Sequence, residues 1–370
     1  MSGRALMHSI SIDELVLPVT AGEQTAAGAA FRAAHEHGER IGVERYGPGL
    51  ASLTLEERLA AWQSSDAEQH RKRVVRDGER IIASSSIWLP MLESTEVGDH
   101  GVAAEASLAP ETRRALIEAL VDDAERVAAE HGRTTLMGGS PAAASGAVMA
   151  STGFGGADPD EPEAAALIAR GYELEQVYRM SVADLRGLER GERPLDARWA
   201  DASARAAADG YETIAWSGPA PAEHRPAMRA LHEAMSVDAP VGGLALEAEV
   251  WSDERLAEFE RQKTAGGRTM RTVVARDRAS GELAGFTSLF VGSGDVASQH
   301  DTIVTRAHRG HGLGMLLKLA NLVELRRHHP THPRVRTMNA EENRHMLAVN
   351  EATGFVPVAY EGIWQRKVAR

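Results

Sequence analysis

Apolar positions in the first half of the chain recur first at helical and then at strand spacing. Helical spacing marks Glu23–His37 and Leu55–Trp62. Strand-like runs follow at Arg73–Arg76, Ile81–Pro90 and Gly101–Leu108, then a helical stretch from Glu111 to His131 and a strand at Thr134–Gly138. "AAALIARGYELEQVYRMSV" (Ala164–Val182) predicts a short helix, a Gly turn and a final strand. The second half repeats this order. Helices are predicted at Pro226–Met235 and Asp253–Lys263; Ser252 is a natural N-cap for the latter, with Arg255 where a capping box would have Glu. "TMRTVVARD" and "LAGFTSLFVG" alternate as strands around the turn "RASGE", and "VASQHDTIVT" is the next strand. A helix from Gly312 to His328, the strand "RVRTMNA", the helix "ENRHMLAVNEAT" and a closing strand in "GFVPVAYEGIWQRKV" complete the unit. One order, β-α-α-β-β-β-α-β-α-β, read twice, predicts a tandem α/β protein.

The polar segment "LRGLERGERPLDA" (Leu185–Ala197) reads as the connection between the repeats. It divides the chain into a first unit of residues 1–186, a linker of 187–197 and a second unit of 198–370. "SPAAASGAVMASTGFGGADPDEPEA" (Ser140–Ala164) is rich in small residues, Gly and Pro. It reads as a long surface loop or mobile lid, with plain disorder as the alternative.

Composition narrows the class. A length of 370 residues suits two domains, and 43% hydrophobic with 25% charged residues is ordinary for a globular protein. No apolar run approaches the ~20 residues that span a bilayer. The N-terminal "MSGRALMHSISIDELVL" lacks the continuous apolar core of a secretory leader, so a cytoplasmic location without membrane contact is expected. The absence of cysteine removes disulfides, thiolate nucleophiles and Cys-based zinc sites. A net charge of −12 argues against a nucleic-acid partner. That charge is uneven, however: His300–Arg370 holds 11 Lys+Arg against 6 Asp+Glu, which suits an anionic ligand held at one place.

Within that basic segment lies "HDTIVTRAHRGHGLGMLLKLANLVELRRHHP" (His300–Pro330), where a strand meets a helix through an Arg- and Gly-rich loop. A helix N-terminus leaves its first N–H groups without intrahelical partners and carries the positive end of the dipole, so phosphate oxygens satisfy both. Glycine lets the backbone turn sharply and come close to the anion. Gly310, Gly312 and Gly314 lack dinucleotide-binding spacing, and Met315-Leu316 stand where a P-loop has its Lys-Ser/Thr pair. His308, His311 and the His328–His332 region show no ligand spacing, and no metal is expected.

At this point the sequence resembles the GNAT acyl-CoA N-acyltransferase superfamily. Its pyrophosphate signature, Q/R-x-x-G-x-G/A, is matched by Arg309, Gly312 and Gly314, with Val304 ending the strand five residues ahead of the Arg. "NAEENRHMLAVNEATGF" resembles its later helix, with Asn343 at the start and Gly354-Phe355 at the end. The runs "HRGH-LG…K…N" and "T-NA--N--M--VN---GF" resemble the tandem-GNAT proteins of actinobacteria. The resemblance is close over the second half and rests on element order in the first. It implies two tandem GNAT-like domains, each a twisted mixed sheet flanked by helices.

It also implies acetyl-CoA as co-substrate. Arg309, Gly310, His311, Gly312, Leu313 and Gly314 would hold the pyrophosphate. Val304, Thr305 and Arg306 would line the pantetheine arm, with Asn343 either bonding it or capping a helix. An amine then attacks the thioester directly, and an N–H near Val304 faces the developing oxyanion. The base is Asp301, on the resemblance, or His300, because imidazole ordinarily titrates near neutrality. Strand alternation puts these two on opposite faces. Asn350 stands where the superfamily often has a Tyr acid; Tyr360 is the substitute to consider. Aligned on the loop, the first half offers Arg113 for Arg309 but Leu116 and Glu118 for the glycines, so its cofactor site is expected to be lost. The implied activity is N-acetylation of a small, cationic amine acceptor, and a homodimer is compatible with it. Alternatives are an acyl-CoA sensor or pseudoenzyme, and acylation of protein amines.

Overall fold

The computed structural model describes residues 11–368; residues 1–10, which open the segment read as lacking a leader, and 369–370 lie outside the described residues. The first half contains β1 (Ile12–Glu14), α1 (Ala26–Tyr46), α2 (Leu55–Trp62), β2 (Glu68–Asp77), β3 (Arg80–Pro90), β4 (Val97–Ala104), α3 (Pro110–Glu130), β5 (Thr135–Ala142), β6 (Val148–Met149), β7 (Gly156–Ala157), α4 (Pro162–Ala169) and β8 (Glu173–Asp184). There follow α5 (Leu185–Arg190), α6 (Leu195–Ala208), β9 (Tyr211–Ser217), α7 (Arg225–Asp238), α8 (Asp253–Thr264), β10 (Thr269–Asp277), β11 (Leu283–Val291), β12 (Val296–Val304), α9 (Leu313–His328), β13 (Arg334–Ala340), α10 (Arg344–Ala352) and β14 (Phe355–Lys367). No helix among the described residues is long and apolar enough to cross a membrane.

The predicted elements are present, with three differences. The segment read as a linker is largely helical, and α6 and β9 beyond it were not anticipated. The buried face of α6 is Leu195, Ala202 and Ala206, and alanines carry little periodic signal. The segment Ser140–Ala164, read as a surface loop or lid, is exposed at Ala143–Ser145 but anchored to the fold. Ala150 and Ala157 are buried, and β6 pairs with β7. Gly155, at φ 76°, comes so near β8 that a Cβ would stand 2.6 Å from Val177.

Twelve strands form one sheet in the order β1-β2-β3-β4-β5-β14-β8-β13-β12-β11-β10-β9. The sheet does not part at residues 187–197. The last strand of the second half, β14, lies between two first-half strands, and β8 lies between β14 and second-half β13. α9 covers the second half of the sheet with Leu313, Leu316, Leu317 and Leu322, while α3 covers the first with Leu116, Ile117 and Leu120. Burying each such side chain stabilises by about 1.5–3 kcal/mol. Charged and polar side chains also tie the halves together: Glu93 to Arg255 at 2.8 Å, and the Glu57 carboxylate to the Ser293 N–H at 3.2 Å.

Each half opens a gap. β12 and β13 run parallel but pair only through Val296–Ser298 and Arg334–Arg336, so β12 from Gln299 onward has a free edge. β4 and β5 likewise pair only through Val97–His100 and Thr135–Gly138.

Candidate functional site

The second-half gap ends at the Gly-loop. Thr305 N–H donates to the Ala284 carbonyl at 2.9 Å. By the alternation of an antiparallel ladder, the Val304 amide and carbonyl therefore turn away from β11 and into the gap. Thr305 is consumed by β11 through this bond and through its hydroxyl. Arg306 opens a short 3-10 turn, Arg306–His308, and its side chain is exposed.

Gly310 and Gly312 have φ of 91° and 68°, left-handed values that glycine adopts without strain, and a Cβ at either would meet nothing. Gly312 caps α9 without a side-chain bond, while Leu313 anchors the first turn in the core. No acidic residue stands in that turn, and Arg326, Arg327 and His328 occupy the last one, as the helix dipole favours. Gly314 has open space above it. The amides after Gly312 thus face outward beside Arg309, whose Nε donates to the Val304 carbonyl at 3.1 Å. His311 turns to Asp209 (3.0 Å) and His308 is buried against the Tyr211 hydroxyl (2.9 Å). Lys318 and Asn321, from the same run, are buried inside the fold. Asn321 donates to the Thr287 carbonyl, and burial pushes the Lys318 amine down to about 7.

Sequence reasoning missed Asp238. At the C-terminal end of α7, its carboxylate accepts from Arg306 Nε (2.9 Å) and Arg309 (2.6 Å), holding both guanidiniums at the loop.

At the closed end of the gap, the expected alternation of His300 and Asp301 fails. Thr287 pairs with Thr302 and Leu289 with Gln299, leaving two residues opposite Ser288. This is a β-bulge, which re-aims side chains. It brings His300 Nδ1 to 3.2 Å from Asp301 Oδ2. Gln299 sustains the bulge by donating to the Ser288 carbonyl and to the Thr287 hydroxyl. His232 of α7 approaches the same carboxylate at 3.9 Å. Burial raises the Asp301 pKa, but His300, His232 and Lys263 outweigh it and hold the carboxyl below its ordinary value. His232, stacked on Trp251 and buried, is pushed down to about 4 and is neutral at physiological pH. Phe259 and Phe290 flank His300.

Two of the remaining expected residues, Asn343 and Asn350, belong to α10 and its cap, which follow β13 on the other side of the gap. Asn343 Oδ1 caps α10 by accepting the Met346 N–H at 3.2 Å, which leaves only its amide N–H groups for a ligand. Asn350 is buried and donates to Asn339 at 2.6 Å; no contact links it to Asp301. Tyr360 does not reach this gap at all, because β14 carries it into the first half, where it lines a cavity.

The first-half counterpart is altered more deeply than the glycine replacements imply. Arg113 Nε donates to the Ala104 carbonyl at 3.3 Å, the same bond that Arg309 makes. Here, however, the helix begins at Pro110, so Arg113 is already helical. Glu118, which replaces a glycine of the loop, is exposed and does not line the first-half cavity. Glu161 and the buried Glu163 instead bind the Arg113 guanidinium, at 2.9 and 3.0 Å. β4 has no bulge, and Gly101 stands opposite Ser86 where β12 has His300 and Asp301.

No protein-family model and no curated protein matches the chain. Among solved structures it is similar to a tandem GNAT protein from the clavulanic acid biosynthesis pathway, determined without AcCoA. Identity is 24%, over 97% of this chain and 99% of that one, with a TM-score of 0.70. It is also similar to a GCN5-related N-acetyltransferase from Sphaerobacter thermophilus, at 13% identity, 97% and 96% coverage and TM-score 0.60. A third likeness is to a structure described as a glucosamine N-acetyltransferase region of a fungal multi-domain β-N-acetylglucosaminidase. It has 11% identity, 97% coverage of this chain but 38% of that one, and TM-score 0.58. The chain has the tandem GNAT fold.

Proposed function

We propose that the second half is an acetyl-CoA-dependent N-acetyltransferase acting on a small cationic amine. The observation that carries this is one continuous feature: a free strand edge, with the Val304 amide turned into the gap, running from uncapped helix amides and Arg309 to the bulge at Asp301. An anionic ligand bound at the loop has its chain laid along that edge, and its thioester reaches the bulge.

The acceptor arrives as an ammonium ion and must lose a proton before it attacks. Asp301, ionised and half-buried, pairs with the cation and holds it. His300, held by Asp301 through Nδ1, has Nε2 free to take the proton. The amine nitrogen bonds to the acyl carbon, and the Val304 N–H stabilises the oxyanion, typically by about 3–4 kcal/mol. The thiolate then leaves as the C–S bond breaks. Since Asn350 cannot act as an acid at neutral pH, the thiolate takes its proton from solvent. Positioning supplies most of the acceleration, up to about 7–11 kcal/mol in well-oriented systems.

The absence of a Tyr acid also favours a second reading, an acyl-CoA sensor. Calorimetric titration of acetyl-CoA into wild type and Gly312→Glu, followed by thiol-release assays over a panel of amines, tests both. One site per chain, lost in the variant, with amine-dependent thiol release, is expected. Binding without release would favour the sensor, and binding that survives Gly312→Glu would refute the site.

A further inference from the structure

A cavity of about 340 Å³ borders the first-half gap. It occupies the place between the splayed ends of β4 and β5, with Ala104 and Ala106 on one wall and Ser140 and Pro141 on the other. This is the counterpart of the gap that carries the proposed transferase, and its chemistry is the reverse.

Two arginines face it, and both are already neutralised. Arg45 reaches Glu163 at 3.0 Å and also donates to the Val102 carbonyl; Arg113 reaches Glu161 and Glu163. Two further carboxylates remain on the wall. Glu44 accepts the Ala106 N–H at 3.2 Å. Glu361, delivered by the exchanged strand β14, has no hydrogen-bond or ion-pair partner among the described residues. Formally the lining carries two positive charges, Arg45 and Arg113, against four negative ones, Glu44, Glu161, Glu163 and Glu361, a net of −2. Burial raises the Glu361 pKa, and the nearby Arg45 charge offsets this only in part. Tyr46, Tyr360 and Ile41 supply apolar and aromatic surface beside it.

A phosphate finds no free guanidinium here, because Arg45 and Arg113 are both held by carboxylates. An ammonium group finds an unpaired carboxylate between two tyrosines, a combination that binds cations through charge and aromatic faces. We propose that the first-half cavity is a binding site for a small organic cation, an alkyl amine or amino sugar, seated on Glu361 between Tyr46 and Tyr360. The volume lies within the range of small-molecule pockets. This inference concerns a different site and stands independently of the transferase reading.

The test is saturation-transfer NMR on the full chain in an Asp301→Asn background, so that the second-half cleft does not contribute a cation site. The probes are 1,4-diaminobutane, glucosamine and choline, with succinate and acetyl-CoA as anionic controls. At least one cation is expected to bind, and its affinity to fall ten-fold or more in Glu361→Gln. Ala106→Trp, at an exposed position on the rim, provides a second variant that blocks the mouth without substituting any carboxylate, and it should abolish the same signal. The proposal is overturned if no cation binds, if cation binding is unchanged in both variants, or if succinate shows the variant-sensitive signal instead.

Discussion

Asp238 contacts arginines 68 and 71 positions further along the chain, and no local pattern announces such a contact. Its carboxylate competes with any phosphate that Arg306 and Arg309 would bind. Because both guanidiniums are substantially exposed, the competition is worth only about 0.5–1 kcal/mol. Asp238→Asn should therefore tighten acetyl-CoA binding about two- to five-fold at low salt, less as salt screens the loop. Weaker binding in that variant would instead mean that Asp238 pre-orders the arginines for the cofactor. Four buried histidines, His37, His70, His100 and His232, are each pushed from an ordinary 6.5 down to about 4, chiefly by burial. The unfolded chain therefore binds protons that the folded chain refuses, and stability present above pH 6.5 is lost as pH falls toward 4. Asp99, raised to about 6 by burial and by Glu361 and Glu68, opposes this with one group against four. Chemical denaturation at pH 7.5 and 5.5 should show a loss of several kcal/mol, up to about 1.4 per pH unit for each histidine. Equal stability at the two values would contradict the neutral state of these side chains. The sequence displayed each of these histidines but not its surroundings, so none of the four could be assigned a role from it.

At the scale of the element, the loop and the strand before it behaved differently. Arg309, Gly310 and Gly312 were legible because their chemistry is local: positive φ, an uncapped helix start and a charge five residues after a strand end. The bulge was not legible, since an extra residue in β12 is defined only by the register of β11. Alternation alone separated His300 from Asp301, whereas the bulge joins them. What keeps the bulge in place is Gln299, buried behind it and donating at 2.6 Å to Thr287 and 2.9 Å to the Ser288 carbonyl. Gln299→Met fills similar space without the donors and leaves that carbonyl unsatisfied, at about 1–3 kcal/mol of stability. Because Gln299 acts through the bulge and does not face the loop, turnover should fall about ten-fold or more. The acetyl-CoA dissociation constant should stay within about two-fold. A parallel loss of binding and turnover would show that the bulge shapes the cofactor path as well as the base.

For the whole molecule, the repeat was visible in the element order and its connectivity was not. Two similar units in sequence suggest two independent sheets, yet β14 pairs with β5 over eight positions and with β8 over ten. Strand exchange leaves no trace in periodicity, because an inserted strand has the same alternating pattern whichever neighbours it takes. The exchange makes each half depend on the other. Trp364 of β14 is buried in the first-half core and donates to Ser140 at 2.9 Å, so residues 1–186 alone would lack both a central strand and a core side chain. Removing a buried Trp typically costs about 3–5 kcal/mol, and losing two ladders of backbone bonds adds to it. The segment 1–186 expressed alone should be insoluble or show no cooperative unfolding transition. Co-expressed with residues 187–370, it should be recovered as a one-to-one complex that unfolds in a single transition. If the two segments instead folded separately and did not associate, β14 would have to take its place within the second half. The first-half cavity would then lose Tyr360 and Glu361, and with them the cation site.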